Sequence, residues 1–252
     1  MRLHDPLGTC SAEFFGPGAH WLADRLQEFL GHHDRPFDLE IVHDPVRAAH
    51  RRFAGLRLGR SGTPYHELLP AVLGQRVTGL EAAIQWRRLV ETYGRPAPGG
   101  RDGLMLPPDP EVLARTHHVD LHLLGIEKKR ADALRSVARA AHHLIIDWPV
   151  VPVPAEQTRR LTLLPGVGVW TAAVAGALAF GDPDALAVGD FHLKNLVAWA
   201  LTGHPRGTDE EMVDTLAPYS GQRHRVVRWL QLSGHRPPAF GPRRPIVPIT
   251  QL

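Results

Sequence analysis

The chain of 252 residues is 43% hydrophobic and 22% charged, which excludes disorder, collagen and coiled coil and suffices to bury one large core or two smaller ones. No apolar run approaches the ~18 residues that span a bilayer, and the residues behind Met1 carry no signal-peptide core, so a soluble intracellular protein is expected. The net charge of +3 rests on arginine (26 Arg against Lys128, Lys129 and Lys194), and a single cysteine, Cys10, excludes a disulfide framework, a four-cysteine zinc site and a four-cysteine iron–sulfur cluster.

Residues 1–60 read as a small α/β domain: strand-like stretches around one helix, His20 to Leu30, with Trp21, Leu22, Leu26, Phe29 and Leu30 on its apolar face before Gly31. From Thr63 the pattern is helical, punctuated by Gly or Pro, so residues 61–252 form a helical domain. Two helices fill 63–94, separated near Gly74 to Gly79, and the second carries Ala83, Trp86, Val90 and Tyr93 on one stripe. RPAPGGRDG (95–103) is a surface loop, and Asp109-Pro110 has the form of an N-cap followed by proline in the first turn. A long helix over about 127–144, an extended connector PVVPVP (149–154), helices over 155–163, 169–180 and 191–202, a Thr208/Glu211 capping box and a last helix to about Leu232 follow. Between Ser220 and Leu252 there are six arginines (223, 225, 228, 236, 243, 244) and no acid, a basic surface suited to phosphate; the codon bias of a GC-rich genome yields the same arginine excess.

The chemistry concentrates in LLPGVGVW (163–170), where two glycines flank one apolar residue between two helices. Such a turn sets the backbone N–H groups of Gly166 and Gly168 at a helix N-terminus, where dipole and unpaired donors favour a phosphate without reading sequence. A plain αα-hairpin has the same pattern. Asp190 follows twenty residues beyond Trp170, after an apolar stretch and Gly189, at the start of FHLKNLVAWAL, where aspartate also serves as an ordinary N-cap.

The whole run LTLLPGVGVWTAAVAGALAFGDPDALAVGDFHLKN (161–195) resembles the signature of the helix-hairpin-helix-GPD superfamily of DNA glycosylases, most of all its 3-methyladenine DNA glycosylase II branch. PYHELLPAVLGQRVTGLEAA (64–83) is similar to that family's wedge-bearing helix pair, and LHLLGIEKKRADALRSVARAA (121–141) to its Leu-Gly-x-x-x-x-Arg-Ala helix. The resemblance implies a mainly α, helix-hairpin-helix glycosylase fold behind a small N-terminal α/β piece. It implies a monomeric, cytoplasmic, nucleoid-associated enzyme of base excision repair that flips a damaged base, expected to be an alkylated purine, out of double-stranded DNA.

Residue by residue, the resemblance makes Asp190 the catalytic carboxylate, because breaking an N-glycosidic bond builds positive charge on the deoxyribose that a fixed carboxylate stabilises. Gly166, Val167 and Gly168 grip the DNA backbone, Gln75 contacts DNA just before Arg76, the wedge that fills the gap left by the flipped base, and Lys194 adds a phosphate contact. Trp170, Val174, Phe191 and Tyr219 line the base pocket. The main-chain carbonyls of Thr162, Leu164 and Val167 hold a structural Na+ or K+, and no other cofactor is required. Bifunctional relatives carry a Schiff-base lysine two residues after the second hairpin glycine; Trp170 stands there, so hydrolysis without strand cleavage is implied.

Three departures stand out. Arg76 occupies a wedge position that is commonly apolar or Gln, Val174 replaces an aromatic found in some relatives and opens the pocket, and the first 60 residues are short for the family's sheet domain, so the sheet is reduced or the start is internal. His118 and His122 have i, i+4 spacing, but no Glu or Cys completes a zinc set, and no catalytic metal is expected. Two other readings fit the same residues: a non-catalytic helix-hairpin-helix module that binds bent or damaged DNA, with Asp190 only a cap, and a glycosylase for deaminated or oxidised bases.

Overall fold

The computed structural model describes residues 3–4, 11–99, 103–144 and 153–238, whose regular structure is almost entirely helical. Cys10, residues 145–152 with most of the PVVPVP connector, and the tail from 239 with Arg243 and Arg244 lie outside the described residues. Strand β1 (Leu3–His4) pairs antiparallel with β2 (Ser11–Ala12), Leu3 opposite Ala12. The single helix expected over His20 to Leu30 is two, α1 (Ala19–Asp24) and α2 (Leu26–Phe29), broken at Arg25. A helix not anticipated from the sequence, α3 (Asp44–Arg52), follows; only Val46 and Ala49 of its nine residues are buried, too few to register as a periodic face.

The helical part runs through α4 (Pro64–Leu73), α5 (Gly79–Tyr93), a hairpin of β3 (Arg95–Pro96) and β4 (Met105–Leu106), α6 (Pro110–Arg115), α7 (His118–Leu123) and α8 (Lys128–Arg139). The long helix expected to reach Leu144 ends as a 3-10 turn, Ala141–Leu144. Then come α9 (Pro154–Leu161), α10 (Val169–Ala179), α11 (Leu193–Thr202), α12 (Asp209–Thr215), a 3-10 turn Ala217–Tyr219 and α13 (Arg223–Leu232). Local chemistry sets these ends. Thr78 and Asp109 accept N–H groups in the first turns of α5 and α6, Thr208 and Glu211 exchange both bonds of a capping box, and Gly203 (φ 77°) closes α11 in the left-handed region.

One core joins Leu68, Leu69, Val72 and Leu73 of α4 to Leu134 and Val137 of α8 and the alanine face of α10. Small residues let α10 approach closely: a Cβ on Gly176 would lie 2.2 Å from Thr158 Oγ1 of α9. The second core packs Val46 and Ala49 of α3 against Leu196 and Val197 of α11, Tyr219, and Val226, Trp229 and Leu230 of α13. Residue 60, expected as a domain boundary, is therefore not a division of the core, because the N-terminal piece shares its apolar residues with the last three helices. Among the described residues, no helix is long and apolar enough to cross a membrane.

A buried ion pair locks that shared core. Asp34 Oδ1 accepts from Arg225 Nη2, and both side chains are 3% exposed. Asp34 Oδ2 also accepts the Leu58 N–H (2.9 Å), while Arg225 donates to Gln222 Oε1 (2.8 Å) and to the Arg35 carbonyl (3.1 Å). With one partner gone, the remaining charge is buried uncompensated. Asp34→Ala is therefore expected to cost about 3–5 kcal/mol in urea unfolding, and the double variant Asp34→Ala/Arg225→Met to recover much of it.

Candidate active site

The hairpin between α9 and α10 divides its two glycines by task. The Leu164 N–H donates to the Leu161 carbonyl (3.1 Å) and the Val167 N–H to the Leu164 carbonyl (3.0 Å), which turns the chain back on itself. Val167 is 4% exposed and anchors the turn in the first core. Gly166 has φ +84°, and a Cβ there would sit 2.5 Å from Ala133 Cβ of α8: the fold itself demands glycine. Gly168 has φ −85° and ψ 178°, a conformation open to any residue, and a methyl group at this position would meet nothing within 4 Å. Its open space lies at the N-terminus of α10, where unpaired N–H groups and the helix dipole attract an anion. Leu163 and Val169, both largely exposed, flank this opening; sequence pattern does not pick them out, since apolar residues beside a turn read as core.

The turn between α4 and α5 lies against the hairpin. Gln75 Nε2 donates to the Gly166 carbonyl (2.9 Å) and to Thr171 Oγ1 (2.8 Å), so its amide braces the two turns together instead of making the DNA contact expected from the sequence. Arg76 is exposed, has φ +60°, and makes no hydrogen bond or ion pair among the described residues. Among those residues it is the only non-glycine at positive φ, a conformation that costs ~1–2 kcal/mol for an L side chain.

Behind the hairpin, α10 carries Trp170, whose Nε1 donates to Asp190 Oδ2 (2.9 Å). Asp190 Oδ1 accepts the N–H groups of His192 (2.8 Å) and Leu193 (2.9 Å), so the carboxylate does cap α11, and its other oxygen is held by the indole. Three donors fix its orientation. Asp190 lines a cleft of about 630 Å3, within the size range of small-ligand sites, floored by Ala173, Val174, Ala177, Ala185 and Leu196. Arg57, Gly59, His224, Arg228 and Arg236 form its walls.

The sequence-expected pocket residues separate in the structure. Val174 lines the cleft with Asp190. Trp170 does not line it and acts on Asp190 from behind. Phe191 is 73% exposed, edge-on to His192, outside the cleft lining. Tyr219 is wholly buried in the second core; its hydroxyl accepts the His43 N–H (3.1 Å) and lies 2.8 Å from His43 Nδ1, so it is a packing residue and not a pocket wall. Lys194, expected to touch phosphate, is paired with Asp209 (3.3 Å), and Asp209 also takes the Gly189 N–H (3.0 Å), so the pair steadies the turn before Asp190. The cleft walls from residues 57–59 and α13 escape sequence reasoning, because only the fold brings them together. His224, half-buried on one wall, has its pKa pulled down to about 4, first by burial and then by the Arg228 charge.

The carbonyls of Thr162, Leu164 and Val167 are hard, uncharged oxygen donors, a set chemically suited to an alkali cation; that of Leu164 also accepts the Val167 N–H. Among the described residues, no group of three or more His, Cys, Asp or Glu could hold a metal ion, and His118 with His122 is no exception.

No family model matches the chain. It is 32% identical over 150 residues to DNA-3-methyladenine glycosylase 2 of Escherichia coli, covering 58% of this chain and 52% of that protein. It is 31% identical over 159 residues to the probable bifunctional transcriptional activator/DNA repair enzyme AlkA of Mycobacterium tuberculosis, covering 60% of this chain and 30% of that one. The chain thus spans about half or less of the length of these curated relatives. In structure it is similar to 3-methyladenine DNA glycosylase from Archaeoglobus fulgidus (TM-score 0.66, 16% identity, 90% of this chain and 80% of that one). It is also similar to Mag1 of Schizosaccharomyces pombe in complex with abasic DNA (TM-score 0.60, 19% identity, 75% and 90%). The mainly helical architecture is that of the helix-hairpin-helix DNA glycosylases.

The two glycines make opposite predictions. Gly166→Ala is expected to lower stability by about 1–3 kcal/mol in chemical unfolding, from strain and overpacking against Ala133. Gly168→Ala should leave stability within about 0.5 kcal/mol and weaken binding to duplex DNA, measured by fluorescence anisotropy, because its methyl fills the approach to the α10 N-terminus.

Proposed function

We propose that this chain, a homologue of the 3-methyladenine DNA glycosylase II proteins with the helix-hairpin-helix glycosylase fold, is a monofunctional DNA glycosylase that hydrolyses the N-glycosidic bond of a damaged, flipped-out base. The observation that carries the reading is Asp190, a carboxylate held by three donors, lining a cleft roomy enough to admit a nucleobase and joined through Trp170 to the hairpin helix. As the bond from C1′ to the base nitrogen breaks, both electrons leave with the base and the sugar becomes cationic. Asp190 stabilises that charge and orients water for attack at C1′.

Gly168 and the start of α10 take a DNA phosphate, and Arg76, exposed and without a partner among the described residues, enters the gap in the stack; its positive φ is the cost of presenting the side chain. The carbonyls of Thr162, Leu164 and Val167 would hold a Na+ or K+ beside the turn. Trp170 offers no amine two residues beyond Gly168, and Lys194 is paired with Asp209, which supports release of the base without strand cleavage. The partner is double-stranded DNA bearing the lesion. The binding-module alternative leaves the cleft beside Asp190 without a role.

In single-turnover assays on lesion-bearing duplex, Asp190→Asn is expected to slow base release by about 10²–10³-fold with affinity for abasic DNA kept. Trp170→Phe, which removes only the donor to Oδ2, should give a smaller loss in the same rate constant. Borohydride should trap no covalent adduct in the wild type; base release unaffected by Asp190→Asn would return Asp190 to a simple cap. Arg76→Gly should leave stability level or raise it by up to about 1 kcal/mol, yet weaken flipping read by 2-aminopurine fluorescence.

A further inference from the structure

The charge of the cleft bears on which base it accepts. Among the described residues, Asp190 is the only acid that lines it. Against it stand Arg57, Arg228 and Arg236, none of them in an ion pair among the described residues, and the half-buried imidazole of His224. Among the described residues, no Phe, Tyr or Trp lines the cleft, so a cationic ring would find neither the electron-rich face that attracts a cation nor a surplus of carboxylate. The floor is instead small and aliphatic, with Ala173, Val174 and Ala177 from α10.

We propose that this cleft selects a neutral damaged nucleobase (deaminated, oxidised, or alkylated without gaining charge) over a cationic N3- or N7-alkylpurine, with Arg228 and its neighbouring arginines as the discriminating charges. The inference rests on the glycosylase reading above and names the substrate class of the same site. His224 reports the field such a base would meet: burial and then Arg228 and Arg225 disfavour a proton on its ring, and they would disfavour a positive charge on a bound base for the same reason.

The chemistry is consistent with the choice. A cationic base leaves as a neutral molecule and needs no help at its ring, whereas a neutral base leaves with the bonding electron pair as an anion. A positively charged rim stabilises that anion as it forms. Water adds its oxygen to C1′, one of its protons ends on the departing base nitrogen, and the products are the abasic sugar and the neutral free base.

The test uses the full chain and duplexes carrying one lesion each: 7-methylguanine as the cationic probe, and hypoxanthine, 8-oxoguanine and 1,N6-ethenoadenine as neutral ones. Each single-turnover rate, taken at enzyme concentrations below saturation so that it includes binding, is divided by the spontaneous rate of the same duplex. The expected result is an enhancement for at least one neutral lesion that exceeds that for 7-methylguanine by about tenfold or more, the equivalent of one pK unit of charge discrimination. Arg228→Gln, an exposed and conservative change, should narrow that ratio severalfold and raise the pKa of His224 followed by NMR. Equal enhancements, or release of 7-methylguanine alone, would overturn the inference and leave the glycosylase reading standing. Release of no lesion at all would overturn both.

Discussion

The carboxylate of Asp190 is the joint on which the site turns. One oxygen closes the N-terminus of α11, and the other receives the indole N–H of Trp170 from α10. Hydrogen bonds to a charged group are worth ~1.5–3 kcal/mol each, so three of them hold the anion far more firmly than a lone surface aspartate. The constraint then propagates. The far edge of the Trp170 ring lies against Gly74, where a Cβ would approach Cη2 to 3.1 Å, so α4 ends on a glycine and the Arg76 turn begins beside the indole. Gln75 stitches that turn to the hairpin through Gly166 and Thr171. The open helix N-terminus at Gly168, a strained turn and a carboxylate thus sit on one connected frame, which is what positioning to fractions of an ångström requires.

The N-terminal residues have a place in the same arrangement. Asp34 holds the backbone of Leu58 with one oxygen and Arg225 of α13 with the other, so two segments that line the cleft, residues 57–59 and α13, are tied through that side chain. A short leading piece therefore shapes the cleft without building a large sheet. The ion pair is costly to bury and costly to break, which favours one geometry of the walls over looser alternatives.

Much of this is legible in the sequence, and the part that is not has a common physical cause. Helix ends from Asp109-Pro110, Thr208/Glu211 and Gly203 are local events governed by the next three or four residues, and they fall where the pattern puts them. The hairpin and Asp190 are visible for the same reason. Contacts between distant segments are not. Tyr219 reads as a pocket aromatic beside a basic tail, but its hydroxyl meets His43, 176 positions away, and no local pattern encodes that. Gln75 reads as a DNA contact because it precedes the wedge; its partners in the hairpin are more than ninety residues distant. Val46 and Ala49 of α3 give too sparse a period to stand out until α11 and α13 supply the other side of their core.

A positively charged cleft and a cationic transition state look incompatible until the two ends of the breaking bond are separated. Electrons move from C1′ toward the base, so the sugar becomes positive while the base becomes negative. Among the described residues, the site presents Asp190 as its only acid and three arginines on the remaining rim, an arrangement of charge that follows the direction of electron flow when the leaving base starts neutral. With a base that is already cationic, the ring loses charge as the bond breaks, and whatever the arginines contribute to departure is offset by what they cost in taking up the cation. The same residues then give no net gain from free enzyme and DNA to the transition state, which is how fixed charges in one cleft separate two lesions of nearly equal shape.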